Sequence, residues 1–163
     1  MKRAIVLALS VILALTMAAP TVLAQGNGGA PEDVSEDPII VNPGDIPGTC
    51  DFPLSLELSG KGKTIVLPDG RLIITSPGLH VTVTNLDNGE QATFNITGSF
   101  HQTTNPETGE LTTLARGRSF LFDPVAGTVI AIGNFSFVFD AEGNLVQPLE
   151  VEGRLIDVCA LLE

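Results

Sequence analysis

Residues 52–58 read FPLSLEL, and this stretch indicates the fold class more clearly than any other part of the sequence. Its apolar side chains stand at every second position from Phe52 to Leu58, with polar residues such as Glu57 between them. A β-strand has a side-chain period of two, so this pattern predicts a strand with one buried and one solvated face. Pro53 suits the start of a strand or a sheet edge, because it has no backbone N–H to donate.

The same alternation continues to the C-terminus, and no part of it has a sustained helical period. The further predicted strands are Lys63–Leu67, Arg71–Thr75, Leu79–Asn85, Gln91–Phe100, Leu111–Phe122, Thr128–Asp140 and Leu145–Val158. We therefore predict an all-β domain of about eight antiparallel strands. An up-and-down β-barrel is the preferred architecture because consecutive hairpins close naturally, and a β-sandwich is the alternative.

Turn residues set the expected register of two hairpins. If Asn88-Gly89 forms a two-residue type I′ turn, polar residues face polar residues and apolar face apolar. The predicted pairs are Val83–Phe94, Val81–Ile96 and Leu79–Gly98 on the apolar face, and Thr84–Thr93, Thr82–Asn95 and His80–Thr97 on the polar face. A second turn at Asp140–Gly143 is predicted to pair Phe139 with Leu145 and Phe135 with Leu149.

The first 24 residues have the three-part layout of a secretory signal peptide. Lys2 and Arg3 precede an apolar run over residues 4–17, and small residues lead to an expected cleavage site after Ala24. The apolar run is short for a membrane span, so we expect a secreted, extracellular protein with no membrane span after cleavage.

Residues 25–49 are rich in Gly, Pro, Asp and Glu, and we interpret them as a flexible acidic leader. Residues 50–163 then form a single β-domain. Its two cysteines, Cys50 and Cys159, stand near its two ends, and in an oxidising compartment such a pair is typical of a disulfide. We expect the bridge to join the first strand of the domain to the last.

The net charge of −11 makes nucleic acid a poor partner, and signal cleavage would take the charge to −13 because two cations and no acid are lost. Two cysteines and two scattered histidines are too few for a typical zinc site, so neither a metal nor another cofactor is expected.

Several polar side chains are candidates for ligand binding. His80, Asn95 and His101 fall on the predicted polar face, where they are either binding groups or ordinary solvated side chains. Arg116 and Arg118 are two residues apart and would point the same way from a strand, so they could grip an anion or pair with the protein's own acids. No catalytic residue is identified, because no nucleophile or carboxylate is placed beside either histidine.

The segments TCDFPL, LPDGR, VTVTNLDNGEQATFNITG, FVFDAEGNL and GRLIDVCALL together resemble small secreted actinobacterial proteins of unknown function. The resemblance covers residues 50–162 and implies export, a terminal cysteine pair and an all-β domain. Its shared features are turns and strand ends, so it implies no catalytic residue.

Two functions are therefore considered. The first is a non-enzymatic binding or envelope-associated domain, with an apolar small molecule or an envelope component as partner. The alternative is a small β-barrel enzyme of the cyclase or isomerase type acting on an apolar small molecule, by analogy of fold. An apolar cavity would serve either function if the interior phenylalanines left it open. Those residues are Phe94, Phe100, Phe135, Phe137 and Phe139.

Overall fold

The computed structural model describes residues 29–34 and 37–163, and the predicted signal peptide lies outside this part of the chain. The described residues form an all-β structure, as the alternation predicts, but with ten strands and one short helix where about eight strands were predicted. The strands are β1 (Glu32–Val34), β2 (Ile39–Val41), β3 (Leu54–Val66), β4 (Leu72–Thr75), β5 (His80–Asn85), β6 (Gln91–Asn95), β7 (Gly98–Thr104), β8 (Leu111–Asp123), β9 (Gly127–Phe139) and β10 (Leu145–Asp157), and the helix is α1 (Cys159–Leu162).

All pairings are antiparallel, and the sheet runs in the order β10-β9-β8-β7-β4-β3-β5-β6. Strand β3 pairs with β5 along Leu54–Ser59 and with β4 along Lys63–Val66, so β5 and β4 act as one interrupted strand beside it. The outer strands β6 and β10 do not pair with each other, so the preferred barrel is not formed. The sheet stays open, and the sandwich alternative fits.

A row of four glycines crosses the adjacent strands β7, β8, β9 and β10. Gly98 faces Gly117, Gly117 faces Gly133, and Gly133 faces Gly153. A Cβ atom on Gly133 would stand 2.3 Å from the Glu152 carbonyl oxygen, and φ at Gly133 is +125°. Only glycine accommodates both the close approach and this backbone angle. The row therefore lets the backbones of β8–β10 approach closely at this point while their register continues unbroken.

The first hydrophobic cluster shows how β3 and β5 pack against β8 and β9. It contains Leu54 and Val81 from β3 and β5 together with Phe120 and Ile130 from β8 and β9. These strand pairs are not neighbours in the sheet, so their side chains meet face to face, as in a β-sandwich. Leu54 is fully buried and Val81 is 1 % exposed.

The second cluster lies on the other face of β8 and β9. Phe100 packs edge-to-face against Phe135 with ring centroids 5.9 Å apart, and Phe137 packs in the same way against Phe139 at 5.6 Å. Phe94 instead contacts the first cluster. The five phenylalanines considered for a barrel interior are thus divided between two packed clusters.

Part of the predicted leader takes part in the sheet. Strand β1 pairs with residues 60–62 of β3, and β2 pairs with residues 54–56. Val41 and Ile46 are buried in the first cluster, at 4 % and 7 % exposure. Packed structure therefore begins N-terminal to Cys50.

The hairpin of β5 and β6 has the predicted faces, but the predicted register is wrong by two residues. Val81 faces Phe94 and His80 faces Asn95. The loop is longer than a type I′ turn, because the Asn85 N–H donates to the Glu90 oxygen at 2.9 Å. Asn85 is buried, and its side-chain amide donates to the Leu162 oxygen at 2.9 Å. This tertiary contact fixes a wider loop than local turn chemistry suggests.

The hairpin of β9 and β10 begins in the predicted register, with Phe139 facing Leu145. Two register shifts follow around Pro148, so Phe135 faces Val151 and not Leu149 as predicted. Proline has no backbone N–H for the ladder, which explains why the irregularity occurs there. Asp140 stabilises the turn, where the Asn144 side-chain amide and the backbone N–H groups around the turn hold the pKa of Asp140 below its ordinary value.

Cys50 and Cys159 form the predicted disulfide, with Cα atoms 5.5 Å apart. Cys50 lies in the loop before β3, and Cys159 begins α1 directly after β10. The bridge therefore joins the loop that leads into β3 to the end of β10.

Candidate functional site

An open groove of about 720 Å³ lies on the face of β7–β10 that is opposite the second cluster. We refer to it as the β7–β10 groove. Residues from four strands and from the preceding strand β4 line it. Those used below are Ile73, His101, Leu114, Arg116, Asn134 and Glu152.

Two rows of side chains cross this groove from strand to strand. In one row Arg116 on β8 faces Asn134 on β9, which faces Glu152 on β10. Adjacent strands are separated by about 4.8 Å, so the Cα atoms of Arg116 and Glu152 are roughly 10 Å apart. A guanidinium group therefore lies on one side of the groove and a carboxylate on the other.

The second row begins at Ile73 on β4 and continues through His101 on β7 to Leu114 on β8. It then reaches Ser136 on β9 and Glu150 on β10. Leu114 is 57 % exposed although it lies near the middle of the sheet. Only Ile73 and Leu114 in this row are apolar, and we refer to these two side chains as the apolar floor.

Arg116 and Arg118 were expected either to grip an anion or to pair with the protein's own acids. Both are exposed, and neither lies within 4 Å of a carboxylate oxygen from residues 29–34 or 37–163. Arg116 lines the groove, whereas Arg118 follows the glycine row and does not. Of the two arginines, only Arg116 is placed to act at this site.

A third arginine at the groove, Arg71, already has a partner. Its Nε donates to Asp69 at 2.8 Å and its backbone N–H donates to the same carboxyl at 3.2 Å. The backbone N–H and the guanidinium together hold the pKa of Asp69 below its ordinary value. Arg71 is therefore less available to a ligand than Arg116.

His80 and Asn95 face each other on β5 and β6, away from the groove. The His80 Nδ1–H donates to the Gly78 oxygen at 3.0 Å, and Nε2 accepts from the Asn95 amide at 3.4 Å. Both ring nitrogens are thus occupied by neutral partners. The pair fits a structural role at the bend between β4 and β5, and the fold does not bring it to His101.

The sequence interpretation missed the side of the groove formed by β9 and β10. Asn134, Glu150 and Glu152 line it. Their alternation along each strand was visible, but the shifts around Pro148 hid the residues that face them. Grouping these residues with Arg116 requires the register of β9 against its two neighbours, β8 and β10.

The described residues of the site offer binding groups and no recognisable acid–base pair. Among the described residues, no hydrogen bond joins His101 to a carboxylate, and no three His, Cys, Asp or Glu side chains come together in a group that could hold a metal ion. Within the same part of the chain, no helix is long and apolar enough to cross a membrane.

Comparisons with protein-family models, with curated proteins and with solved structures find no match to this chain.

Proposed function

We propose that the protein is an exported, non-enzymatic binding domain that uses the β7–β10 groove to hold a small molecule with an apolar body and one anionic group. The observation that carries this proposal is Arg116. It is an exposed guanidinium group within a concave surface, and no described carboxylate lies within 4 Å of it.

The chemistry of Arg116 favours a carboxylate or phosphate. A guanidinium group presents parallel N–H donors that match the two oxygens of such an anion. Asn134 stands directly opposite on β9 and adds an amide donor. Cations are scarce in this chain, with eight Lys and Arg against nineteen Asp and Glu. An exposed arginine in a groove is therefore a distinctive feature of its surface.

The apolar floor supports a ligand with a hydrocarbon body. Leu114 and Ile73 stand on either side of His101 in the row that crosses the groove. Covering exposed apolar surface contributes about 25 cal/mol for each Å² removed from water. A hydrocarbon chain lying over Leu114 would gain this energy while its anionic end reaches Arg116.

The acidic side limits the ligand to a single anionic group. Glu150 and Glu152 line the groove from β10, and both are exposed. A second anion on the ligand would meet like charge there, whereas a hydroxyl or amino group would find hydrogen-bond acceptors. Charge therefore orients the ligand with its anion toward β8.

Export is supported by the N-terminal sequence and by the disulfide. Residues 1–24 have a signal-peptide pattern, and structural disulfides such as Cys50–Cys159 are typical of oxidising compartments. The resemblance to small secreted actinobacterial proteins leads to the same expectation.

Titration of the ¹⁵N-labelled protein with decanoate tests the proposed site by NMR. Amide shifts should concentrate at His101, Leu114, Arg116 and Asn134. Arg116→Gln should weaken binding at least tenfold, because it removes the charge that faces the carboxylate. Decylamine should bind more weakly than decanoate at this position.

Arg118→Gln is the matched control, since it removes the same charge from the same strand outside the groove. Equal weakening by the two variants would mean that net charge, and not the groove, governs binding. Shifts spread over the whole surface would contradict the proposed site.

A further inference from the structure

Strand β10 forms one outer edge of the sheet. It pairs with β9 along one side, and no described strand pairs with its other side. Glu150 and residues 152–155 are exposed. The strand has 13 residues, which is long for an edge, and an edge strand presents unpaired N–H and C=O groups to any strand that approaches.

We propose that two copies of this chain form a two-fold symmetric dimer by antiparallel pairing of their β10 strands about Gly153. In an antiparallel pair, directly opposed side chains lie on the same face of the sheet. When the two strands are copies related by a two-fold axis, this condition places one residue at the axis, where it faces its own copy. With the axis at Gly153, Glu152 faces the partner's Arg154. Val151 faces the partner's Leu155 on the other face of the sheet.

Neighbouring positions of the axis give poor pairings. An axis through Glu152 or Arg154 sets that charge against its own copy. An axis through Val151 sets Glu150 against the partner's Glu152. Directly opposed like charges destabilise a strand pair and opposite charges stabilise it. Among residues 151–155, only Gly153 as the axis opposes unlike charges without opposing like ones.

The position of the glycine row supports the same axis. Gly153 ends the row that runs through Gly117 and Gly133, where the absence of side chains lets neighbouring backbones approach closely. Pairing Gly153 with its copy continues this row into the second sheet. No side chain then stands between the two β10 backbones at the axis, so they can approach as closely as the neighbouring strands of the row do.

Two further features of β10 fit this register. Leu155 is 40 % exposed in the single chain and gains an apolar neighbour, the partner's Val151. Pro148 lies just beyond Leu149, the last residue that this register pairs, with the partner's Asp157. Because proline has no N–H to donate to a ladder, the proposed strand pair ends next to Pro148.

The dimer would also change the β7–β10 groove. Glu152 lines the groove, and the partner's Arg154 would stand beside it. One of the two acidic groups at that side would then be neutralised by the second copy. Dimer formation itself does not depend on a ligand in the groove.

A charge exchange measured by sedimentation velocity tests the proposal. The oxidised wild-type protein should show a monomer–dimer equilibrium that shifts with concentration. Glu152→Arg and Arg154→Glu each oppose like charges twice in the dimer, so each should raise the dissociation constant at least tenfold. The double variant E152R/R154E restores both unlike pairs and should dimerise like the wild type.

Glu142→Arg is the control, because it changes the net charge as Glu152→Arg does but lies in the turn before β10. It should leave the dimer intact, and circular dichroism checks that every variant is folded. A wild-type protein that remains monomeric at about 1 mM would overturn the proposal. So would single variants that dimerise as tightly as the wild type, or a double variant that stays dissociated.

Discussion

Replacing Gly133 by alanine should destabilise the protein far more than the same replacement at Gly143. Both glycines have positive φ, +125° at Gly133 and +83° at Gly143. They differ in their surroundings, because a Cβ at Gly133 would stand 2.3 Å from the Glu152 oxygen, whereas nothing lies within 4 Å at Gly143. The pair separates the cost of close strand approach from the cost of backbone conformation.

The expected magnitudes follow from these contacts. An alanine held at positive φ costs roughly 1 to 2 kcal/mol, and somewhat more at the angle of Gly133. Moving β10 away to remove the clash adds about 1 to 3 kcal/mol, by analogy with overpacked cores. Alanine also makes the unfolded chain less flexible, which offsets about 0.4 to 1 kcal/mol of the loss at each site. The net loss should be about 3 kcal/mol at Gly133 and about 1 kcal/mol or less at Gly143.

Urea denaturation of the oxidised protein measures both values, provided that the slope of the unfolding free energy is the same in the two variants. A loss at Gly133 no larger than at Gly143 would refute the reasoning. It would mean that β9 and β10 separate easily at this point, and that the glycine row does not set the path of the long strands.

Three other predictions concern the core, the disulfide and one acidic turn. Phe94→Ala should lower the unfolding free energy in urea melts more than Thr93→Ala does, because Phe94 packs on the first cluster and Thr93 is exposed. Since Phe94 is only half-buried, its loss should fall near or below the low end of the roughly 3 to 5 kcal/mol seen for buried phenylalanines. Equal losses would contradict a hairpin with one buried and one exposed face. Replacing Cys50 and Cys159 by alanine should lower the unfolding free energy by at most about 5 kcal/mol, the chain-entropy value for a loop near 100 residues; an unchanged denaturation midpoint would show that the bridge does not restrain the unfolded chain. The pKa of Asp140 is lowered in the folded state, so its contribution to stability is present above the unfolded pKa and is lost as the pH falls through the folded pKa. A ¹³C NMR titration of the folded protein should place the Asp140 midpoint below that of an unfolded peptide. A midpoint at or above the peptide value would be inconsistent with the hydrogen bonds of the turn.

Much of the secondary structure could be predicted because its causes are local. Alternation of the FPLSLEL kind fixes which side chains share a face, whatever strand lies alongside. The turn at Asp140–Gly143 was also predictable, because Asp140 accepts hydrogen bonds from residues only a few positions away. The disulfide followed from there being two cysteines and no other pairing within the chain.

The candidate site was only partly predictable. His101 and Arg116 were singled out from the sequence, and both line the groove. Asn134 and Glu152 were not grouped with them, because the three strands concerned align only once their register is known. His80 was grouped with His101 by its place on a polar face, but His80 lies on β5 and His101 on β7, and strands β3 and β4 stand between them in the sheet.

Most of the strands, their two faces and the pairing of the cysteines follow from the sequence alone, since each depends on neighbouring residues or on a simple count. The exceptions are β1 and β2, which lie within the predicted leader and pair with β3, and the break between β6 and β7 in the predicted strand Gln91–Phe100. The register of the β5–β6 hairpin depends on the folded structure, where the Asn85 side-chain amide donates to the Leu162 oxygen at the far end of the chain. The folded structure also decided between barrel and sandwich, because whether β6 and β10 meet depends on how the whole sheet is paired. Contacts between distant residues depend on how far each strand slides along the next, and a side-chain period of two leaves every even shift allowed.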